Sequence, residues 1–394
     1  MMELIDLSKA VKENGRYIIF GAGIAGHKIA WYLKTYVKGC NICFCDNNPQ
    51  KQDRHATPPV YSLEECRTLE AVFLVGFDGN DCDKLHSVEK CLVQNNIRTD
   101  KCFWIDMELF DKSLAPRYAL RFKAMEEEQK VIPNEKPLVS ILIPVYNRVE
   151  LVKKAVSSAL KQTYPNIEII VADNHSTDGT YEELLRVFGK NEKVRIFCND
   201  KNIGPVGNWK VCMQHARGKY VKFLFSDDLI SEKFVEKCVI ALEGDSAIGM
   251  VYSACRLFSE EVPEICRELH RLYVPTGKYA KELFYWGTYA GLIDVPVSPG
   301  CALFRREDVN ILTEIPNNQG VVCNRTGAGI DLLIYLHTLK KYEYFYYIDE
   351  QLAQFRYHQG SFSISENLEK EYNLAKQYFY SVNEADLYNL GVNI

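Results

Sequence analysis

Apolar and polar positions along the chain fall into two successive runs of one kind. In each, a short apolar stretch of strand character leads into a polar turn and then into apolar residues at helical spacing. In the first run Arg16-Tyr17-Ile18-Ile19-Phe20 reads as a strand, and Ile29, Ala30 and Leu33 recur on one helical face between His27 and Tyr36. Ile42 to Cys45 and Ala71 to Gly76 read as further strands, and Lys84 to Asn95 as a further helix. Alternating β and α predicts a small parallel sheet. The pattern breaks over residues 112–136, where Glu126-Glu127-Glu128-Gln129-Lys130 predicts an exposed, charged helix ending near Pro133. It starts afresh at Pro137.

The second run is longer. Leu138 to Val145 is a buried strand leading into Tyr146-Asn147, where Asn147 and Glu150 predict a capping box. The helix that follows repeats Val152, Ala155, Val156 and Ala159 on one face. Ile167 to Ala172 ends in the turn Asp173-Asn174-His175-Ser176-Thr177-Asp178-Gly179-Thr180. Val194 to Phe197 leads to Asn202-Ile203-Gly204-Pro205-Val206-Gly207-Asn208-Trp209, and Tyr220 to Phe225 delivers Ser226-Asp227-Asp228 ahead of a helix from Glu232. Four strands thus end in polar turns, which in a parallel sheet converge on one edge. The division predicts three parts: an α/β domain over residues 1–115, a charged helical linker over 116–136 and a second α/β domain over 137–394.

Candidate chemistry sharpens each part. Gly21-Ala22-Gly23-Ile24-Ala25-Gly26 follows a strand and opens a helix, the context in which Gly-X-Gly-X-X-Gly approaches a pyrophosphate. Asp46 ends the next strand about 20 residues on, where a Rossmann unit keeps the acid for a ribose hydroxyl. Gly21, Gly23, Gly26 and Asp46 are therefore the candidate nucleotide site of the first domain. No acid, base or nucleophile is recognisable around it. In the second domain, adjacent Asp227 and Asp228 repel unless a cation stands between them, so they read either as a divalent-metal site or as a polar turn with a helix cap.

Composition limits the setting. Across 394 residues, apolar content of 47% and charged content of 25% are those of an ordinary soluble chain, and a net charge of −5 gives no basic face for nucleic acid. No stretch approaches the roughly 18 apolar residues of a membrane span, and the start lacks a signal-peptide layout. A cytoplasmic protein is expected, with attachment to the inner membrane face left open. The 14 Cys are scattered and read as free thiols. Cys40, Cys43 and Cys45 lack a second ligand pair and read as core residues instead of a metal site.

The second run resembles glycosyltransferase family 2, from its Pro-Val-Tyr-Asn turn, its Asp-initiated turn after strand two, its Asn-X-Gly…Asn segment and its Asp-Asp element after strand four. The likeness extends over roughly Pro137 to Ser365. Three positions depart from the pattern: Asn174 and His175 stand for the family's second Asp and Gly, and Phe225 for the first acid of Asp-X-Asp. The first domain resembles the short Rossmann-like domain of sugar O-acyltransferases.

The resemblance implies a GT-A mixed sheet after the small Rossmann-like sheet. It also implies an inverting glycosyltransferase that uses Mg²⁺ or Mn²⁺ to move a sugar from a nucleotide-diphosphate donor, expected to be a UDP-sugar, to a saccharide or glycolipid in surface polysaccharide synthesis. Carried over residue by residue, Pro144, Tyr146, Asn147, Asp173, Asn202, Gly204, Asn208, Ser226 and Asp228 fall around the donor. Asp227 falls on the metal, joined by His358 of the Arg-X-His-like segment at Arg356, and Asp331 falls at the catalytic base. The aromatic, Gly- and Pro-rich stretch Tyr285 to Phe304 reads as either an acceptor wall or core, and the Gly-rich run ahead of Asp331 as a mobile loop. Two rival readings remain: an NAD(P)-dependent oxidoreductase centred on Gly21 to Asp46, and a sugar-nucleotide binder without catalysis.

Overall fold

The computed structural model describes residues 3–21, 24–56, 58–76, 82–113, 116, 119–124, 136–290, 293–317, 319–358, 360, 367–384 and 387. The chain divides into two compact units, one of Met1–Arg121 with Trp286–Ile293 and one of Phe122–Tyr285 with Asp294–Ile394.

The first unit is built on a six-stranded, wholly parallel sheet: β1 (Glu3–Ile5), β2 (Arg16–Phe20), β3 (Asn41–Cys45), β4 (Val60–Tyr61), β5 (Val72–Val75) and β6 (Cys102–Ile105), in the order β1-β6-β5-β2-β3-β4. From β2 the chain moves outward through β3 and β4, then returns to the other side of β2. That switch point stands at the end of β2, where Gly21 lies. Gly21 has φ +89°, which an L side chain resists, and its N–H donates to Cys45 O at 2.7 Å. A Cβ on Gly26 would lie 2.1 Å from Gly21 O, so the turn and the helix Ile24–Tyr36 close only with glycine there. Gly23 lies outside the described residues. Asp46 Oδ1 accepts the N–H of Asn48 at 2.9 Å, an Asx turn at the end of β3. Cys45 is buried, while Cys40 and Cys43 are part-buried thiols. Among the described residues no group of three His, Cys, Asp or Glu could hold a metal.

The second unit carries a mixed sheet of ten strands: β7 (Val139–Val145), β8 (Ile167–Asp173), β9 (Val194–Cys198), β10 (Tyr220–Phe223), β11 (Leu229–Ile230), β12 (Ile248–Phe258), β13 (Cys266–Leu269), β14 (Gly277–Ala280), β15 (Ala302–Arg305) and β16 (Tyr344–Arg356). The main path runs β11-β16-β12-β15-β10-β7-β8-β9, with β13 beside β12 and β14 beside β16. β10, β7, β8 and β9 are mutually parallel, and β15 opposes both β10 and β12. This is the mixed α/β sheet expected of a GT-A fold. β7 and β8 are buried along their whole length, which is why they read as unbroken apolar runs. The helix Val149–Leu160 buries Val152, Ala155, Val156 and Ala159, the face anticipated from their spacing.

Local expectations need correction in four places. The helix after β7 begins at Val149 with Arg148 as its cap residue and no side-chain cap bond, so Asn147 and Glu150 form no capping box. The reason is conformational: Asn147 adopts φ +49° and its side chain is taken by the neighbouring turn. A capping box forms instead at Ser62 and Glu65. The fourth strand stops at Phe223, two residues short, because Leu224 to Asp228 must curl. The helix beyond it begins at Phe234, since Leu229 and Ile230 are drawn into pairing with β16. Of the charged linker, residues 125–135 lie outside the described residues. Leu120–Phe122 form a 3₁₀ turn, and Lys123 bridges Tyr279, so no continuous helix enters from this side.

Candidate functional site

Register brings the strand-end turns together. Val145 at the end of β7 pairs with Asp173 at the end of β8, which pairs with Cys198 at the end of β9, while β10 flanks β7 on the other side. The switch point between β7 and β10 therefore opens between Asn147 and Asp227. A cavity of about 1710 Å³ opens there, lined by Pro144, Tyr146, Asn147, Asn202, Gly204, Asn208, Ser226, Asp227, Asp228, Asp331 and His358 among others. Every lining residue belongs to the second unit. Asp173, alone of the candidates in this unit, is not on the wall.

Asp173 is fully buried at the end of β8. Its Oδ1 accepts the Ser176 N–H at 2.6 Å, and its Oδ2 is buried without a protein partner. The turns on either side are tied by amides. Asn147 Oδ1 accepts the Thr177 N–H at 2.8 Å, and the Asn147 N–H donates to Ser176 Oγ at 2.8 Å. Asn174 Oδ1 accepts from Asn199 Nδ2 and from the Ile203 N–H, both at 3.0 Å, while its Nδ2 donates to Asn202 Oδ1 and Gly204 O. Asn208 donates to Ala172 O at 2.8 Å. An amide with both donor and acceptor suits this junction, where a carboxylate could only accept. His175 has φ +64°, the left-handed conformation that explains glycine at this position in the family pattern.

The acid turn is gripped from both sides. Asp227 Oδ2 forms an ion pair with Arg148 Nη1 and lies 3.0 Å from His358 Nε2. Arg148 Nη2 donates to Gly360 O at 3.0 Å, so the turn after β7 is also linked to the segment beyond β16. Burial opposes ionisation of Asp227, but the His358 bond and the Arg148 charge hold its carboxyl below the usual range. Asp228 behaves oppositely: burial and the charge of Asp227 push it well above that range. Its Oδ1 accepts the Arg356 N–H at 2.9 Å, and Arg356 Nε donates to Asp227 O at 2.8 Å. Phe225, in place of an acid, packs on Trp209 with ring centroids 5.7 Å apart, which gives the substitution a packing role.

Asp331 enters from the helix Ile330–Lys340, nine of whose eleven residues are buried. Burial pushes its carboxyl up to about 7, against bonds from the Leu332 N–H at 2.8 Å and Tyr372 Oη at 3.0 Å. From the Tyr285 to Phe304 stretch, Val297 and Ser298 reach the cavity while Phe304 is core. In the run ahead of Asp331, Asn324, Arg325, Thr326 and Ala328 line the cavity, and Asn318 lies outside the described residues.

Three residues escaped the sequence reading. Arg148 directly follows the Pro-Val-Tyr-Asn turn, so its neighbourhood alone was a signal. Lys222, in the middle of β10, is fully buried and donates to Phe223 O at 2.8 Å and to Gly300 O. Burial pulls its ammonium down to about 8. Tyr372, on a later helix, carried no motif.

A parallel half-sheet whose polar strand ends converge on one cavity, with acids at its switch point, defines an α/β unit with its ligand site at that edge. Residues 140–311 match the family described as Glycosyl transferase family 2. Over 101 residues the chain is 38% identical to an uncharacterized glycosyltransferase of Haemophilus influenzae, covering 26% of this chain and 40% of that protein. It is 35% identical over 123 residues to the hyaluronan synthase of Pasteurella multocida, covering 31% of this chain and 13% of that one. The matched segments thus span less than half of either relative. Among solved structures, S. aureus TarS 1-349 in complex with UDP-GlcNAc is similar with a TM-score of 0.46 at 14% identity, covering 65% of this chain and 76% of that chain. No helix among the described residues is long and apolar enough to cross a membrane.

Proposed function

We propose that the chain is a metal-dependent inverting glycosyltransferase that uses a nucleotide-diphosphate sugar, most simply a UDP-sugar, to extend a saccharide or glycolipid. One observation carries the reading: Asp227, His358 and Asp331 share a single cavity with the amide-bearing turns after β7, β8 and β9. Asp173 lies behind the cavity wall, so its partnerless Oδ2 would receive the ring N–H of a uracil only where the entering base moves the covering turn aside. Tyr146, exposed at the cavity wall, offers a ring to the base.

Asp227 and His358 are the pair that would hold Mg²⁺ or Mn²⁺. Their 3.0 Å approach on one oxygen fits a shared cation, and a site with two protein ligands leaves positions for diphosphate oxygens. The bound metal would supply Lewis-acid stabilisation to the departing nucleotide. Arg148 sits on the same carboxylate oxygen and adds a fixed positive charge beside the diphosphate. Ser226 and Asp228 stand next to it for the ribose and sugar hydroxyls. Asp331, raised toward neutrality, accepts the proton of the acceptor hydroxyl as its oxygen bonds the anomeric carbon and the phosphate oxygen leaves with the bond pair. Attack from the opposite face inverts the centre.

The first unit is read as a nucleotide-binding-type domain akin to those of sugar O-acyltransferases, in which Gly21, Gly26 and Asp46 would meet the ligand. Donor hydrolysis in Mn²⁺ across a panel of nucleotide sugars tests the whole reading. Turnover left intact in both D227A and D331A would overturn it, and NAD(H) binding without sugar-nucleotide binding would favour an oxidoreductase.

A further inference from the structure

The helix Glu369–Ser381 lies beyond the family-matched stretch, yet it reaches the cavity through Tyr372. Tyr372 Oη donates to Asp331 Oδ2 at 3.0 Å, while Asp331 Oδ1 takes the Leu332 N–H at 2.8 Å. The two bonds use different oxygens and fix the plane of the carboxylate. The contact is built by close approach of the two helices: a Cβ on Gly329, at φ +81°, would lie 2.6 Å from Glu371 O and 3.2 Å from Ala375 Cβ. Glycine at the start of the Asp331 helix therefore lets the later helix come near enough for Tyr372 to reach.

Resting on the glycosyltransferase reading, we propose that this helix belongs to the catalytic machinery and that Tyr372 is the positioning residue which orients Asp331 and favours its ionised form. A hydroxyl can donate only one proton, and here it goes to the oxygen that does not face Leu332. Both bonds are in place without an acceptor, so the carboxylate is held in one orientation in advance. Among the described residues, the titratable groups around it include Glu371 on the same helix, Cys323, whose thiol burial pushes up to about 12, Glu314, whose carboxylate accepts the Cys323 and Asn324 N–H groups, and Arg325 on the cavity wall, while Lys376 follows one turn further along the helix.

Two readouts test the role, one of them independent of turnover. An acid whose folded-state value exceeds its unfolded value of about 3.9 loses stability as pH rises between the two, and Asp331 does so up to about 7. D331N should flatten that part of the urea-unfolding profile. Y372F, lacking the donor, should extend the loss by about one pH unit on the alkaline side. In hydrolysis of UDP-glucose and UDP-N-acetylglucosamine with Mn²⁺, Y372F should move the acid limb of kcat by the same amount with donor KM unchanged. Y372H, which keeps a donor, should return the limb part of the way, and it carries the test if Y372F folds poorly. Coincident profiles for wild type and Y372F in both readouts would overturn the proposal. Full turnover in D331N would instead remove the base assignment, whatever Y372F does.

Discussion

Arg148 donates to the same Asp227 oxygen that His358 approaches, so that one carboxylate oxygen carries a guanidinium and an imidazole together. A divalent cation taking that oxygen competes with the ion pair. R148A should therefore tighten Mn²⁺ binding severalfold, read from the spectrum of free Mn²⁺ in a titration, while lowering turnover because the diphosphate loses a positive neighbour. D227A should abolish site binding of Mn²⁺ altogether. Weaker Mn²⁺ binding in R148A would instead make Arg148 a support of the metal site.

Asp173 offers a separate handle on the nucleotide. A buried carboxylate oxygen without a partner costs about 1–3 kcal/mol, so D173N should leave stability unchanged or raised. If the oxygen receives a uracil N–H, the same change should weaken UDP binding by roughly ten- to a hundredfold. Calorimetric titration with UDP, beside a thermal melt, separates the two effects. Equal UDP affinity in both proteins would leave Asp173 as a turn residue only.

Lys222 gives a pH signature in the alkaline range. Its folded-state value of about 8 lies below the roughly 10.4 of an unfolded lysine, so between these values the unfolded chain holds more protons and stability rises with pH. The contribution is on the order of 3 kcal/mol across the window. Subtracting the K222M profile from wild type isolates it from the tyrosines and thiols that titrate nearby. A flat difference between pH 8 and 10 would show that the ammonium is not desolvated as its burial implies.

Gly26 tests the first unit. G26A would drive a methyl to 2.1 Å of Gly21 O, and backbone cannot yield as a flexible side chain would. Destabilisation of about 1–3 kcal/mol is expected. It should appear as an earlier denaturation step, leaving sugar-nucleotide hydrolysis in the second unit largely unchanged.

What the sequence made legible follows from how local each signal is. Strand and helix identities in both units were readable because β7 and β8 are buried end to end and the helix Val149–Leu160 has one apolar face. The convergence of Asn147, Asn202 and Asp227 was readable too, since parallel strands must end on one edge. The extra bonds were not. Nothing local says that Asn147 turns left-handed and gives its side chain to Thr177, which is what cancels the expected cap. Nor does spacing reveal that Arg148 will lie on Asp227, or that Tyr372 will meet Asp331 41 positions earlier. Those pairs exist only once β16 and the final helix have closed around the cavity. Phe225 is the reverse case: a missing acid was legible, while its partner Trp209 was not.

The position of β16 bears on anyone who would treat the matched stretch as a movable part. Residues 140–311 include the four strand-end turns, but β16 is hydrogen-bonded to β11, β12 and β14, and His358 lies just past its end. A transplant cut at residue 311 would strip a strand from the interior of the sheet and expose the edge of β12. The portion of the chain by which its kinship is recognised is therefore not a portion that can be grafted. A working graft has to run on through Tyr372, and a chimaera that respects the family boundary should aggregate before it can be assayed.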